Sequence, residues 1–168
     1  MSATWSDLSH KPYKTHHFLT ETVIDRSVEV VWPHVLQIGS WMTDHELETI
    51  AGEHGRVGHL ERVWPRNLDE EIAEPRYHLY GIAKIIPERC VVLEVFPEKG
   101  GSYGNAFYPP EFINFDAILL TDLGDRTQVS FFGIEVHAER DDAADTKVHD
   151  QIQRYFENLR ELCETPST

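Results

Sequence analysis

The sequence predicts an α+β domain in which a curved antiparallel sheet wraps around one long C-terminal helix. Several segments before residue 140 alternate apolar and polar residues as strands do, and the last segment repeats its apolar residues at helical spacing. That helix can bury its apolar stripe only against the sheet. At 168 residues, the chain is predicted to form a single domain spanning residues 1–168.

The first strand is predicted over residues 17–25, where β-branched residues alternate with polar ones. Glu21 is assigned to the wet outer face of the strand, which fixes the orientation of its neighbours. The residues predicted to face inward are His16, Phe18, Thr20, Thr22 and Ile24.

A short helix is predicted to follow this strand. Ser27 can cap a helix through residues 28–32, and Pro33 indicates that this helix is short or bent. The chain is then expected to continue as a broken helical connection to about His54.

Five more strands are predicted in the remainder of the sheet, which makes six in all. They cover residues 56–64, 77–86, 90–96, 112–121 and 127–138, with turns at 87–89 and 123–126. The long segment 98–110 combines glycines with aromatic residues and is interpreted either as a lid or as a static loop over the sheet.

The C-terminal segment 141–164 is predicted to be a long amphipathic helix that stops before Pro166. Its apolar stripe comprises Val148, Ile152, Tyr155, Phe156, Leu159 and Leu162. The first five of these are expected to pack on Val91, Leu93, Val95, Phe115 and Phe131 of the sheet.

Composition argues against several classes of partner. The 29 acidic and 15 basic residues give a formal net charge of -14, which repels nucleic acids and anionic membranes. The N-terminal residues lack the basic patch and apolar run of a signal peptide, so a cytoplasmic location is predicted. Cys90 and Cys163 are expected to be buried thiols rather than parts of a disulfide framework.

Short motifs in a fixed order carry a resemblance to a known superfamily. They are Ile24-Asp25 followed by Glu29-Val30-Val31-Trp32, then Trp41, Gly55-x-Val57-Gly58, Asn114-Phe115 and Gly124-Asp125-Arg126-Thr127-x-Val129. With these motifs the chain resembles the START/polyketide-cyclase superfamily (SRPBCC), which includes the birch pollen allergen. The resemblance implies a helix-grip fold with a deep apolar cavity between the sheet and the C-terminal helix.

Two carboxylate–imidazole pairs are the candidate catalytic groups. Strand alternation turns His59 and Glu61 inward, together with Val57 and Val63 of the same strand. The pattern of the resembled superfamily does the same for Glu135 and His137. A Glu and a His two residues apart on one strand face lie about 7 Å apart, which suits acid/base chemistry. Alternatively, the pairs merely solvate the mouth of the cavity. A metal site made of all four residues would have suitable ligands, but no helical His-x-x-x-His spacing supports it, so neither metal nor cofactor is predicted.

Inward-facing apolar and aromatic residues are the candidate ligand contacts, although such residues are often simple core. They are His16, Trp41, Tyr77, Leu79, Leu93, Phe115, Phe131, Ile152 and Tyr155. The predicted function is binding of a hydrophobic, aromatic or polyketide-like molecule, with cyclase, dehydratase, hydrolase or lyase chemistry. The alternatives are a carrier or sensor of such a ligand and a protein-interaction module, and the chain is a possible homodimer.

Overall fold

The structure is a computed structural model that describes residues 14–66, 78–97, 113–137 and 142–165. Its strands are β1 (Lys14–Ile24), β2 (His45–Ala51), β3 (Leu60–Pro65), β4 (His78–Ile86), β5 (Cys90–Pro97), β6 (Ile113–Asp122) and β7 (Thr127–His137). Its helices are α1 (Val28–Val35), α2 (Ile38–Trp41) and α3 (Asp142–Glu164). Among these helices, none is long and apolar enough to cross a membrane.

All seven strands form one antiparallel sheet in the order β1-β7-β6-β5-β4-β3-β2. Strands β2 to β7 each pair with their neighbours in sequence, whereas β1 pairs with β7. The predicted α+β class, with a curved sheet and a long C-terminal helix, is confirmed.

The inner face of the sheet forms the hydrophobic core together with α1, α2 and α3. Along the sheet, burial alternates with a period of two, as at Val91, Leu93 and Val95 in β5. Helix α3 supplies a stripe at helical spacing, namely Ile152, Tyr155, Phe156, Leu159 and Cys163. The inward orientation predicted for Thr20, Thr22 and Ile24 in β1 is confirmed by their burial.

Strand β2 was not predicted, because the chain up to His54 was assigned to a helical connection. Residues 45–51 instead form an edge strand whose Glu46 and Glu48 are exposed. With it, the described residues contain seven strands rather than the predicted six. Strand β3 begins at Leu60, so the predicted inward orientation of Val57 is wrong: this side chain is 60% exposed in a turn.

For two apolar side chains the predicted burial is wrong, because both are exposed to solvent. Phe115 is 46% exposed on the outer face of β6, because Asp116, Ile118 and Leu120 occupy the inner face. Leu162 is 39% exposed, and Cys163 takes the predicted place of Leu162 in the buried stripe of α3. The segment 98–110 that was interpreted as a lid or a static loop lies outside the described residues.

Candidate functional site

His59 and Glu61 form a buried pair at the start of β3. His59 is 2% and Glu61 5% exposed, and His59 Nε2 lies 3.0 Å from Glu61 Oε1. The side chain of His54, from the turn between β2 and β3, approaches the same point. Its Nδ1 is 3.2 Å from His59 Nε2 and 3.6 Å from Glu61 Oε1. His54 is not among the site residues predicted from the sequence.

Asp116 is a second buried acid, and it is not among the site residues predicted from the sequence. Its side chain is 4% exposed on the inner face of β6, and burial raises the pKa of its carboxyl to about 7. Within the described residues its Oδ1 has no hydrogen-bond partner. A carboxyl with a pKa near neutrality can both donate and accept a proton at physiological pH.

An aromatic wall lies beside Asp116. In the strand register Asp116 pairs with Gly133, and Gly133 pairs with Phe18. A Cβ atom at Gly133 would lie 2.0 Å from Cζ of Phe18, so only glycine lets this ring lie flat against β7. Phe18 also stacks on Phe131, with ring centroids 5.8 Å apart and an interplanar angle of 14°.

Tyr80 lies on β4, between Asp116 on β6 and Glu61 on β3 in the order of the strands. It pairs directly with Glu61 in the register of β3 and β4, and it packs against the hydrophobic core. Burial raises the pKa of the Tyr80 hydroxyl, and the charges of Asp116 and Asp44 raise it further. The phenol is therefore neutral at physiological pH and can donate a hydrogen bond.

Tyr155 joins α3 to the start of β2 through a polar cluster. Its hydroxyl lies 2.9 Å from His45 Nδ1 and accepts a hydrogen bond from Gln151 at 2.6 Å. His45 Nδ1 is also 2.8 Å from Asp44 Oδ1. Partial burial works to raise the pKa of Asp44, but hydrogen bonding to His45 and the charge of that ring outweigh it, so the pKa is lowered. Burial, followed by the charge of Asp44, raises the pKa of Tyr155.

The other predicted ligand contacts fall into three groups. Trp41, Leu93, Phe131, Ile152 and Tyr155 are buried in the core, and Leu79 is half-buried. Phe115 is exposed, which contradicts its predicted inward orientation. Tyr77 and the side chains of His16, Glu135 and His137 lie outside the described residues, so the second carboxylate–imidazole pair stays a prediction.

Comparisons with known proteins identify the fold. No family model matches the sequence, and no curated protein matches it. Solved structures do match. The Mll3558 protein from Rhizobium loti has a TM-score of 0.64 at 16% identity, over 89% of this chain and 97% of that one. Norcoclaurine synthase from Thalictrum flavum, in complex with dopamine and hydroxybenzaldehyde, has a TM-score of 0.62 at 13% identity, over 100% and 96% of the two chains.

A third neighbour is the major latex-like protein 151 from Panax ginseng, with a TM-score of 0.61 at 13% identity, over 90% of this chain and 99% of that one. At these identities the similarity concerns the fold. The chain thus has the helix-grip fold of these solved structures.

Proposed function

We propose that this protein binds a hydrophobic, aromatic small molecule against the inner face of its sheet and acts on it by acid/base chemistry without an organic cofactor. Asp116 carries the proposal. A buried carboxyl oxygen that has no partner among the described residues is costly to retain unless something else satisfies it. A polar group of a bound molecule would supply that partner while its ring packs against Phe18 and Phe131.

The roles of the individual groups follow from their environments. Protonated Asp116 donates a proton or hydrogen bond to a carbonyl oxygen of the ligand, and ionised Asp116 accepts a proton. His59 and Glu61 supply a second polar group on the same face, reached across Tyr80. The structural neighbour that holds dopamine and hydroxybenzaldehyde supports an aromatic ligand. A cytoplasmic location and a homodimer stay predictions.

Binding is tested with acetophenone, an aromatic ketone that has no titratable group. Because the protonated fraction of an acid with a pKa of about 7 falls about tenfold between pH 6 and pH 8, we expect affinity to fall by up to about tenfold. NMR titration of wild type and Asp116→Asn at both pH values measures this, with Glu94→Gln on the exposed outer face of β5 as the matched control.

The pH dependence should vanish in Asp116→Asn and persist in Glu94→Gln. If wild type does not bind acetophenone at either pH, the proposed ligand class is wrong. If Asp116→Asn keeps the full pH dependence, another group is responsible for it.

A carrier or sensor is the second candidate, because a buried carboxyl such as Asp116, whose Oδ1 finds no partner in the described part of the chain, also serves recognition alone. Native mass spectrometry of the protein as purified identifies a retained compound, and incubation of that compound with the protein shows whether it is converted. For an enzyme, Asp116→Asn should lower kcat about 10² to 10⁴-fold and change affinity much less. Recovery of the compound unchanged would favour the carrier.

A further inference from the structure

Three potential metal ligands converge at the junction of the β2–β3 turn with β3. His54 Nδ1, His59 Nε2 and Glu61 Oε1 are separated by 3.0, 3.2 and 3.6 Å. The donor atoms around a zinc-like ion, each about 2.1 Å from the metal, are themselves about 3.0 to 3.4 Å apart. A point about 2.1 Å from all three atoms exists about 1 Å out of their plane.

A single proton cannot form hydrogen bonds with all three of these donor atoms. His59 Nε2 faces both His54 Nδ1 and Glu61 Oε1, yet one ring nitrogen carries at most one hydrogen. A cation between the three atoms would satisfy all three lone pairs at once. Imidazole nitrogen and carboxylate oxygen are ligands that Zn²⁺ and other divalent first-row metals accept.

The backbone holds the donor atoms in place before any ion binds. The amide of Gly58 donates to Ile82 O at 2.8 Å, and the amide of Ile82 donates to His59 O at 2.9 Å, so the turn is fixed to β4. Gly52 has a φ of 78°, and a Cβ there would lie 2.4 Å from Gly58 O. Glycine at position 52 therefore permits the two ends of the turn to approach this closely.

We propose that His54, His59 and Glu61 bind a divalent first-row transition metal such as Zn²⁺, with at least one coordination position left for water or substrate. Glu61 and His59 are buried, whereas the side chain of His54 is 51% exposed and gives access from solvent. Within the described residues, His59 Nδ1 lacks the hydrogen-bond partner that usually supports a ligand histidine, so an affinity in about the micromolar range is expected.

A metal at this position would give the polar groups on the inner face of the sheet different chemical roles. A metal held by His59 and Glu61 uses their lone pairs, so these two residues become ligands rather than general acid and base. Asp116 then remains the proton-transferring group, and the metal polarises a carbonyl or activates a water molecule. The metal site does not depend on the proposed function, because it rests on the three donor atoms alone.

The test uses the full chain without a histidine tag and Zn²⁺ or Co²⁺ as the probe, in the absence of an organic ligand. Isothermal titration should show one Zn²⁺ per chain, and Co²⁺ should develop visible d–d absorption bands. His54→Ala removes the exposed ligand with little effect on the core and should weaken binding at least about tenfold. Glu61→Gln should weaken it as well, while His17→Ala, an exposed histidine of β1, serves as the matched control.

Two results would overturn the metal site. One is no saturable binding at up to about 100-fold above the expected micromolar range. The other is equal binding by wild type and His54→Ala, which would assign the metal to others of the ten histidines. Failure here leaves the acetophenone experiment unaffected, and loss of acetophenone binding does not alter the metal titration.

Discussion

Asp116 should make the stability of the fold depend on pH in a direction opposite to that of an ordinary paired carboxylate. Its folded pKa of about 7 exceeds the usual value of 3.8 because the carboxyl is buried. Between these two values the unfolded chain has released the Asp116 proton while the folded chain keeps it. The free energy of unfolding therefore falls as pH rises from about 4 to about 7, and the loss is complete above the folded pKa.

The magnitude follows from the size of the shift. Each unit of pKa corresponds to about 1.4 kcal/mol, so a shift from 3.8 to about 7 costs the folded state about 4 kcal/mol at pH 8. Asp116→Asn has nearly the same shape and does not titrate. Relative to wild type, this variant should therefore gain about 4 kcal/mol of stability between pH 4 and pH 8.

Urea unfolding of both proteins at one-unit intervals across this range measures the difference. Other titrating groups are common to both proteins and cancel, and any constant effect of the amide shifts all points equally. A difference that does not change with pH would refute the reasoning, because it would show that burial does not perturb this carboxyl. Glu94→Gln, on the exposed outer face, is the matched control for the loss of one carboxylate.

Two further predictions concern packing around the site. Gly133→Ala should lower the free energy of unfolding by about 1 to 3 kcal/mol in a denaturant titration, because its Cβ would lie 2.0 Å from the Phe18 ring. Most of this loss should disappear when the substitution is made in a Phe18→Ala background, and a loss that persists there would come from the backbone. Tyr155→Phe removes the hydroxyl that contacts His45 and should cost about 1 kcal/mol in the same assay, whereas an unchanged midpoint would mean that water replaces this hydrogen bond.

The architecture could be predicted from the sequence because its strongest signals are periodic. The alternation in β5 and the helical stripe of α3 each depend on many residues, so a single misassigned position does not change the element. Strand β2 was missed because it is a short edge strand whose polar residues outnumber its apolar ones. Leu47 is the one apolar residue of β2 that packs against the core, so the segment does not show the apolar alternation of a central strand.

The candidate site was harder to predict because it depends on the orientation of single residues. In β6 the sequence presents Asn114-Phe115-Asp116, and hydrophobicity alone favours Phe115 as the inward residue. Ile118 and Leu120 are buried on the inner face, and because side chains alternate along a strand, Asp116 lies on that face with them. Leu119 between them is also apolar, so the sequence is compatible with either Phe115 or Asp116 facing inward.

His54 was missed for a different reason. Its approach to His59 depends on a turn in which Gly52, Gly55 and Gly58 all adopt positive φ angles. A strand running through residues 56–64, as predicted, would have carried His54 away from Glu61. Backbone conformations of this kind are permitted by glycine but are not specified by the residue pattern.

The pairing of β1 with β7 has a consequence for how the chain reaches and leaves its native state. Strands β4 and β5, and β6 and β7, are joined by tight turns, whereas Ile24 and its partner Thr127 are separated by about 100 residues of chain. Contacts over such a separation close slowly, so β1 is expected to dock after the meander has formed. A molecule that releases β1 exposes the whole edge of β7, and this edge can accept the β1 strand of a second molecule. Strand exchange between molecules is therefore the misassembly to which this topology is most open.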